Sequence, residues 1–170
     1  TTFNSMFTGA TAMISKFALT PNWNTTPPLL WFNHETIVPT ISNVSLNSAN
    51  NALTVTFSES VYDTTVTNGD LEASDFALAI SNGSATVATT PTSITKTSQT
   101  VWVLGLNVSG TANGSETLSV VPASSTSIYD AASNAASTTQ SGNTASLNEK
   151  IVPTISSASL NTANSALTVT

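Results

Sequence analysis

Twenty residues of this chain are written twice. The stretch IVPTISNVSLNSANNALTVT begins at Ile37, and IVPTISSASLNTANSALTVT begins at Ile151, 114 residues further on, with sixteen of the 20 positions identical. Glu35 and Glu149 keep the same offset just upstream. A period that long exceeds the coil of a solenoid and matches a whole domain repeated head to tail. Three parts follow: an arm over residues 1–36, one complete repeat over residues 37–150, and the start of a second, truncated repeat over residues 151–170. At Thr170 the register still reads as strand, so the expectation is a longer polypeptide carrying further repeats.

Inside the repeat the periodicity is that of strands. Leu53, Val55 and Phe57 alternate with Thr54, Thr56 and Ser58, one face apolar and one polar. Phe76, Leu78 and Ile80 repeat the pattern and run into Asn82-Gly83, a pair suited to a tight hairpin because both residues tolerate positive φ. Residues 86–89, 93–97, 100–108 and 116–121 are further runs rich in β-branched side chains, and 143–148 is a weaker last strand. Asn68-Gly69-Asp70, Pro91, Gly110, Asn113-Gly114 and Pro122 punctuate them. About seven short strands with no helical period predict an all-β antiparallel sandwich, preceded by a largely irregular N-terminal arm.

Residues 1–36 are different material. They hold Phe3, Phe7, Phe17, Phe32, Trp23 and Trp31, with Lys16 and Glu35 as their only charges beside His34. Ala10, Met13, Ile14, Phe17 and Ala18 fit one face of a short helix, after which Pro21, Pro27 and Pro28 impose extended chain. So short a segment cannot close a core of its own. Its six aromatic residues are therefore expected to dock on another surface, within a larger assembly of proteins.

Composition excludes several function classes. The 170 residues include 31 Thr, 26 Ser and 17 Asn, yet only three Lys, no Arg and nine acids, for a net charge of −6. Nucleic acid is bound by neutralising phosphates with Lys and Arg, so it is not an expected partner. No apolar run of about 18 residues exists, so no membrane-spanning helix is expected. Zero Cys removes disulfides, thiolate metal sites and Cys nucleophiles.

Chemistry is equally sparse. A hydrolytic triad needs a His to carry the proton, and the single His34 sits before the first strand with no nucleophile elbow in the chain. No catalytic and no cofactor-binding residues are expected. Calcium needs only oxygens, which sandwich loops can offer, and Glu59, Asp75 and Asp130 are the weak candidates. None follows the alternating acidic spacing of a dedicated calcium loop. Trp102, in Val101-Trp102-Val103-Leu104, is expected as a core anchor, and Tyr129 as a side chain closing one end of the sandwich.

Five words of the repeat carry a resemblance. They are LTVTFSE from Leu53, LEASDF from Leu71, PTSI from Pro91, GSETLSV from Gly114 and IYDAASNAA from Ile128. Together they resemble the bacterial Ig-like tandem repeats of very long surface proteins, including adhesins and swimming-motility proteins, and of structural proteins of marine phages. That family usually has Gly where Ser133 stands. The resemblance implies a non-catalytic spacer or display module. The expected function is a structural protein of a virion surface, a decoration or fibre protein anchored on capsid or tail through the arm. Multicopy repeats would project from it and make weak contacts with glycans. A bacterial adhesin or surface-layer repeat at the cell surface is the alternative, and an accessory module of a carbohydrate-active enzyme is a second.

Overall fold

The structure is a computed structural model that describes residues 35–65 and 69–170. The expected arm, with its short helix and its six docking aromatics, lies outside the described residues apart from Glu35 and Thr36. Apart from one short 3-10 helix (Ala73–Asp75), the regular structure among the described residues is β, in antiparallel sheets, as the alternation of apolar and polar residues predicts.

One sheet has four strands, β1 (Ile41–Leu46), β2 (Ala52–Phe57), β5 (Ser93–Lys96) and β6 (Val101–Gly105), in the order β1-β2-β6-β5. The second has three, β3 (Phe76–Ser81), β8 (Thr117–Pro122) and β9 (Thr144–Ser146), in the order β3-β8-β9. A two-stranded ribbon pairs β4 (Thr86–Val87) with β7 (Val108–Ser109). The two larger sheets share one core: Leu53, Val55, Phe57, Trp102 and Leu104 meet Phe76, Leu78, Leu118 and Val120. The rings of Phe57 and Phe76 stand 6.3 Å apart across that interface. Trp102 lies opposite Val55 in the ladder and is buried, as expected of a core anchor.

Strict alternation explains β2, β6 and β8, where every second residue is buried. It does not explain β1, whose inward residues Ile41, Val44 and Leu46 are spaced three and then two apart. The ladder shifts register between Ile41 and Asn43, and this bulge restores the facing of the later residues.

Two strand expectations change. Residues 100–108 divide into β6 and β7, because the chain leaves the four-stranded sheet after Gly105 and joins the ribbon. Asn82 and Gly83 do adopt positive φ, 64° and 61°. Beyond them the chain returns beside β3 far enough for the Leu78 amide to donate to the Thr89 carbonyl at 2.7 Å, but the ladder partner of β4 is β7 and that of β3 is β8.

The second writing of the duplicated sequence folds as its own hairpin, β10 (Ala158–Leu160) with β11 (Leu167–Val169). Its register repeats that of β1 and β2: Leu160 faces Leu167 as Leu46 faces Leu53. The turn is reproduced too. Asn50 and Asn164 both take positive φ, 60° and 54°, and the Asn47 and Asn161 amides each donate 3.0 Å to an alanine carbonyl.

Candidate functional site

Among the described residues of the repeat, four polar or charged ones are buried: Asn50, Glu116, Asp130 and Asn143. A buried polar group costs stability unless it is hydrogen-bonded, so its partners disclose its role.

Glu116 stands one step before β8 at the parity of Leu118 and Val120, and therefore points inward. Its Oε1 accepts the Ser84 and Ala85 amides at 3.3 and 3.4 Å; its Oε2 accepts those of Asn113 and Gly114 at 3.0 and 3.1 Å. Burial opposes the charge, but hydrogen bonds from its own amide and those of Asn113, Ala85 and Ser84 hold the carboxyl below the usual carboxylate range. One side chain thus ties the loop after β3 to the loop before β8. Gly83, where a Cβ would collide with the Glu116 carboxylate, allows the approach. The tied residues Ser84 and Ala85 directly follow the positive-φ pair Asn82-Gly83.

Asp130, one of the calcium candidates, folds its own loop. Its Oδ1 accepts the amides of Ala132 and Asn134 at 2.8 and 2.7 Å, and its Oδ2 accepts the Asn134 side-chain amide at 2.7 Å. Ser133 crosses the top of this loop at φ 69°, the left-handed region where glycine is favoured. Its hydroxyl donates to the Thr65 carbonyl. Tyr129 bridges Tyr62 on one side and Ala135 on the other, fastening this end of the sandwich.

The other candidates divide. Glu59 is half-buried and brings a carboxylate oxygen within 4.8 Å of one on Asp130. Asp75 lies elsewhere, at the end of a short 3-10 helix (Ala73–Asp75), accepting the Glu72 amide at 2.7 Å. Burial pushes the Asp75 carboxyl up; the Glu72 amide works against this, and the charges of Asp63 and Glu72 add to it. The structure therefore unites two of the three calcium candidates and separates the third. Asp63 carries the one buried side-chain oxygen among the described residues that has no hydrogen-bond partner, Oδ1, packed against Gly69.

The opposite end of β1 holds a clamp. The Asn50 side chain donates to the Asn148 carbonyl at 2.7 Å and accepts the Asn148 backbone and side-chain amides, both at 2.9 Å. Asn148 also donates to the Asn47 carbonyl at 3.0 Å, and Lys150 Nζ to that of Ser48 at 2.6 Å. At the near end, the Asn134 side chain donates to the Ile37 carbonyl at 3.3 Å. The chain is thus held where it enters and where it leaves, at opposite ends of β1.

Sequence reasoning missed Glu116 and Asn50. For Glu116 a signal existed, an acid at inward parity beside Leu118 and Val120. For Asn50 there was none, because its partner is 98 residues away.

His34 lies outside the described residues. Among the described residues, no helix is long and apolar enough to cross a membrane. Comparison of the chain with protein-family models, with curated proteins and with solved structures finds no match.

Proposed function

We propose that this chain is a non-catalytic structural and display protein of a virion surface, a decoration or fibre protein. In this reading, residues 1–36 dock on capsid or tail through Phe3, Phe7, Phe17, Trp23, Trp31 and Phe32. The sandwich of residues 37–150 is the unit that projects outward in many copies. Its outward Thr, Ser and Asn make weak glycan contacts that gain strength by repetition.

The observation that carries the reading is how the sandwich uses its polar groups. Glu116, Asp130, Asn50 and Asn143 are all hydrogen-bonded to the chain's own backbone and spent on holding loops and ends in place. A reacting site instead keeps polar groups turned toward a substrate. Fixed ends and a sealed core suit a spacer.

Two measurements test it. In reconstituted particles, chains lacking residues 1–36 should fail to incorporate while their sandwich stays folded; full incorporation would refute the docking role. On a glycan array, a protein with several sandwiches should bind where one sandwich does not. Equal silence in both would remove the adhesive part.

A further inference from the structure

Three Asn-Gly pairs stand in the chain: Asn68-Gly69, Asn82-Gly83 and Asn113-Gly114. Asn68 lies outside the described residues. The other two pairs are each followed by Ser, at Ser84 and Ser115, and all six residues are exposed. An Asn-Gly pair is especially prone to react with itself. The backbone nitrogen after Asn can reach the carbonyl carbon of the Asn side chain, and Gly puts no Cβ in the way. In a folded chain the outcome depends on how firmly the two reacting groups are held.

The two described pairs are held very differently. At Asn113 both groups are engaged. Its Oδ1 accepts the Ser115 amide at 2.9 Å and the Ser115 hydroxyl at 2.6 Å, an Asx turn that fixes the carboxamide. The Gly114 amide donates to Glu116 Oε2 at 3.1 Å. To attack, that nitrogen would have to give up a charge-assisted hydrogen bond and become an anion facing a carboxylate. At Asn82 neither group is engaged: among the described residues no hydrogen bond reaches its carboxamide or the Gly83 amide. Glu116 lies beside Gly83 as well, but its Oε1 is turned to the Ser84 and Ala85 amides.

We propose that Asn82 is a site of spontaneous deamidation and that Asn113, in the same Asn-Gly-Ser sequence, is shielded from it. The Gly83 nitrogen loses its proton to solvent base and bonds to the side-chain carbonyl carbon of Asn82. The bond from that carbon to Nδ2 breaks, and ammonia leaves with a proton taken from water. Water then opens the five-membered imide at either carbonyl, giving aspartate or isoaspartate at position 82. Nothing is oxidised or reduced, and water is the co-reactant.

The product bears on the fold. Its new carboxylate adjoins Gly83, where a Cβ would meet Glu116 Oε1, so like charges come together beside a buried acid. The isoaspartate form also inserts a methylene into the main chain ahead of Ser84 and Ala85, whose amides Glu116 holds. Deamidation therefore loosens the tie between the loop after β3 and the loop before β8.

The full chain is held in mildly alkaline buffer and sampled by peptide mass spectrometry, which places each amide-to-acid exchange on its residue. Asn82 should convert at least about 10-fold faster than Asn113, the factor that a hydrogen bond to a charged group is worth. In urea, where the fold is lost, the two Asn-Gly-Ser sequences should convert at similar rates. Similar rates in the folded chain overturn the proposal. So does a difference that persists in urea, which would assign it to sequence instead of structure. Modified chains carry an added negative charge and separate by anion exchange. In them, hydrogen exchange at Ser84 and Ala85 should rise at least about 10-fold over the unmodified chain. Unchanged exchange at both residues would overturn the effect on the tie.

Discussion

The two writings of one turn permit an internally controlled experiment. Asn50 and Asn164 share residue type, positive φ and the local turn hydrogen bonds, yet only Asn50 is clamped to Asn148. Replacing either by Gly keeps the backbone conformation. The relief of left-handed strain and the entropy cost of Gly are each about 1 kcal/mol and roughly cancel. What remains at position 50 is the loss of three side-chain hydrogen bonds, at 2.7, 2.9 and 2.9 Å. At about 0.5–1.5 kcal/mol each, Asn50→Gly should destabilise the sandwich by roughly 2–4 kcal/mol. Asn50→Ala should cost about 1 kcal/mol more, because Ala lacks the freedom of Gly at positive φ. Asn164→Gly should change sandwich stability by less than about 0.5 kcal/mol. Urea denaturation followed by circular dichroism gives all three values. If Asn50→Gly costs under about 1 kcal/mol, or Asn164→Gly costs as much as Asn50→Gly, the clamp is not what fastens the end of the repeat.

Glu116 has a depressed carboxyl pKa, so its contribution is full above the unfolded value of about 4.3 and is lost as pH falls through the folded value. Glu116→Gln should therefore lower the melting temperature at pH 7 and flatten its fall below about pH 4.3, since an amide nitrogen would face backbone donors; an unchanged acid limb contradicts this. Trp102→Ala should cost about 3–5 kcal/mol in denaturant unfolding, as large buried side chains do when truncated. Asp130→Ala removes three hydrogen bonds from the loop that carries Ser133 and should cost about 2–4 kcal/mol, with hydrogen exchange rising first at Ala132 and Asn134. Ser133→Gly should be neutral or stabilising by up to about 1 kcal/mol, the relief of left-handed strain set against the bond to Thr65; a loss above about 1 kcal/mol would show that this hydroxyl governs the turn.

How far the sequence could be read depends on the range of the forces involved. Leu53, Val55 and Phe57, or Leu118 and Val120, declare a buried face because alternation is a local property of the strand. The bulge at Ile41 left only a spacing of three where two was due. The division of residues 100–108 between β6 and β7 had no local mark, because the sheet a strand joins is decided by distant partners. Residue type alone marks the calcium candidates, and nothing in their spacing brings Glu59 toward Asp130 and leaves Asp75 apart. Glu116 opens a strand in the sequence, and its inward parity is the one local sign of its burial.

The fastening of Ile37 at one end of β1, and of Asn148 and Lys150 at the other, fixes how this unit would take a pull. Tension applied to the two chain ends runs along the covalent backbone of β1 and crosses to the exit through the bonds of Asn148 and Lys150 to Asn47, Ser48 and Asn50, so these bonds bear the load before the five ladder pairs of β1 with β2 do. Under a steady pull such a unit would keep its length until that small cluster of bonds gives way.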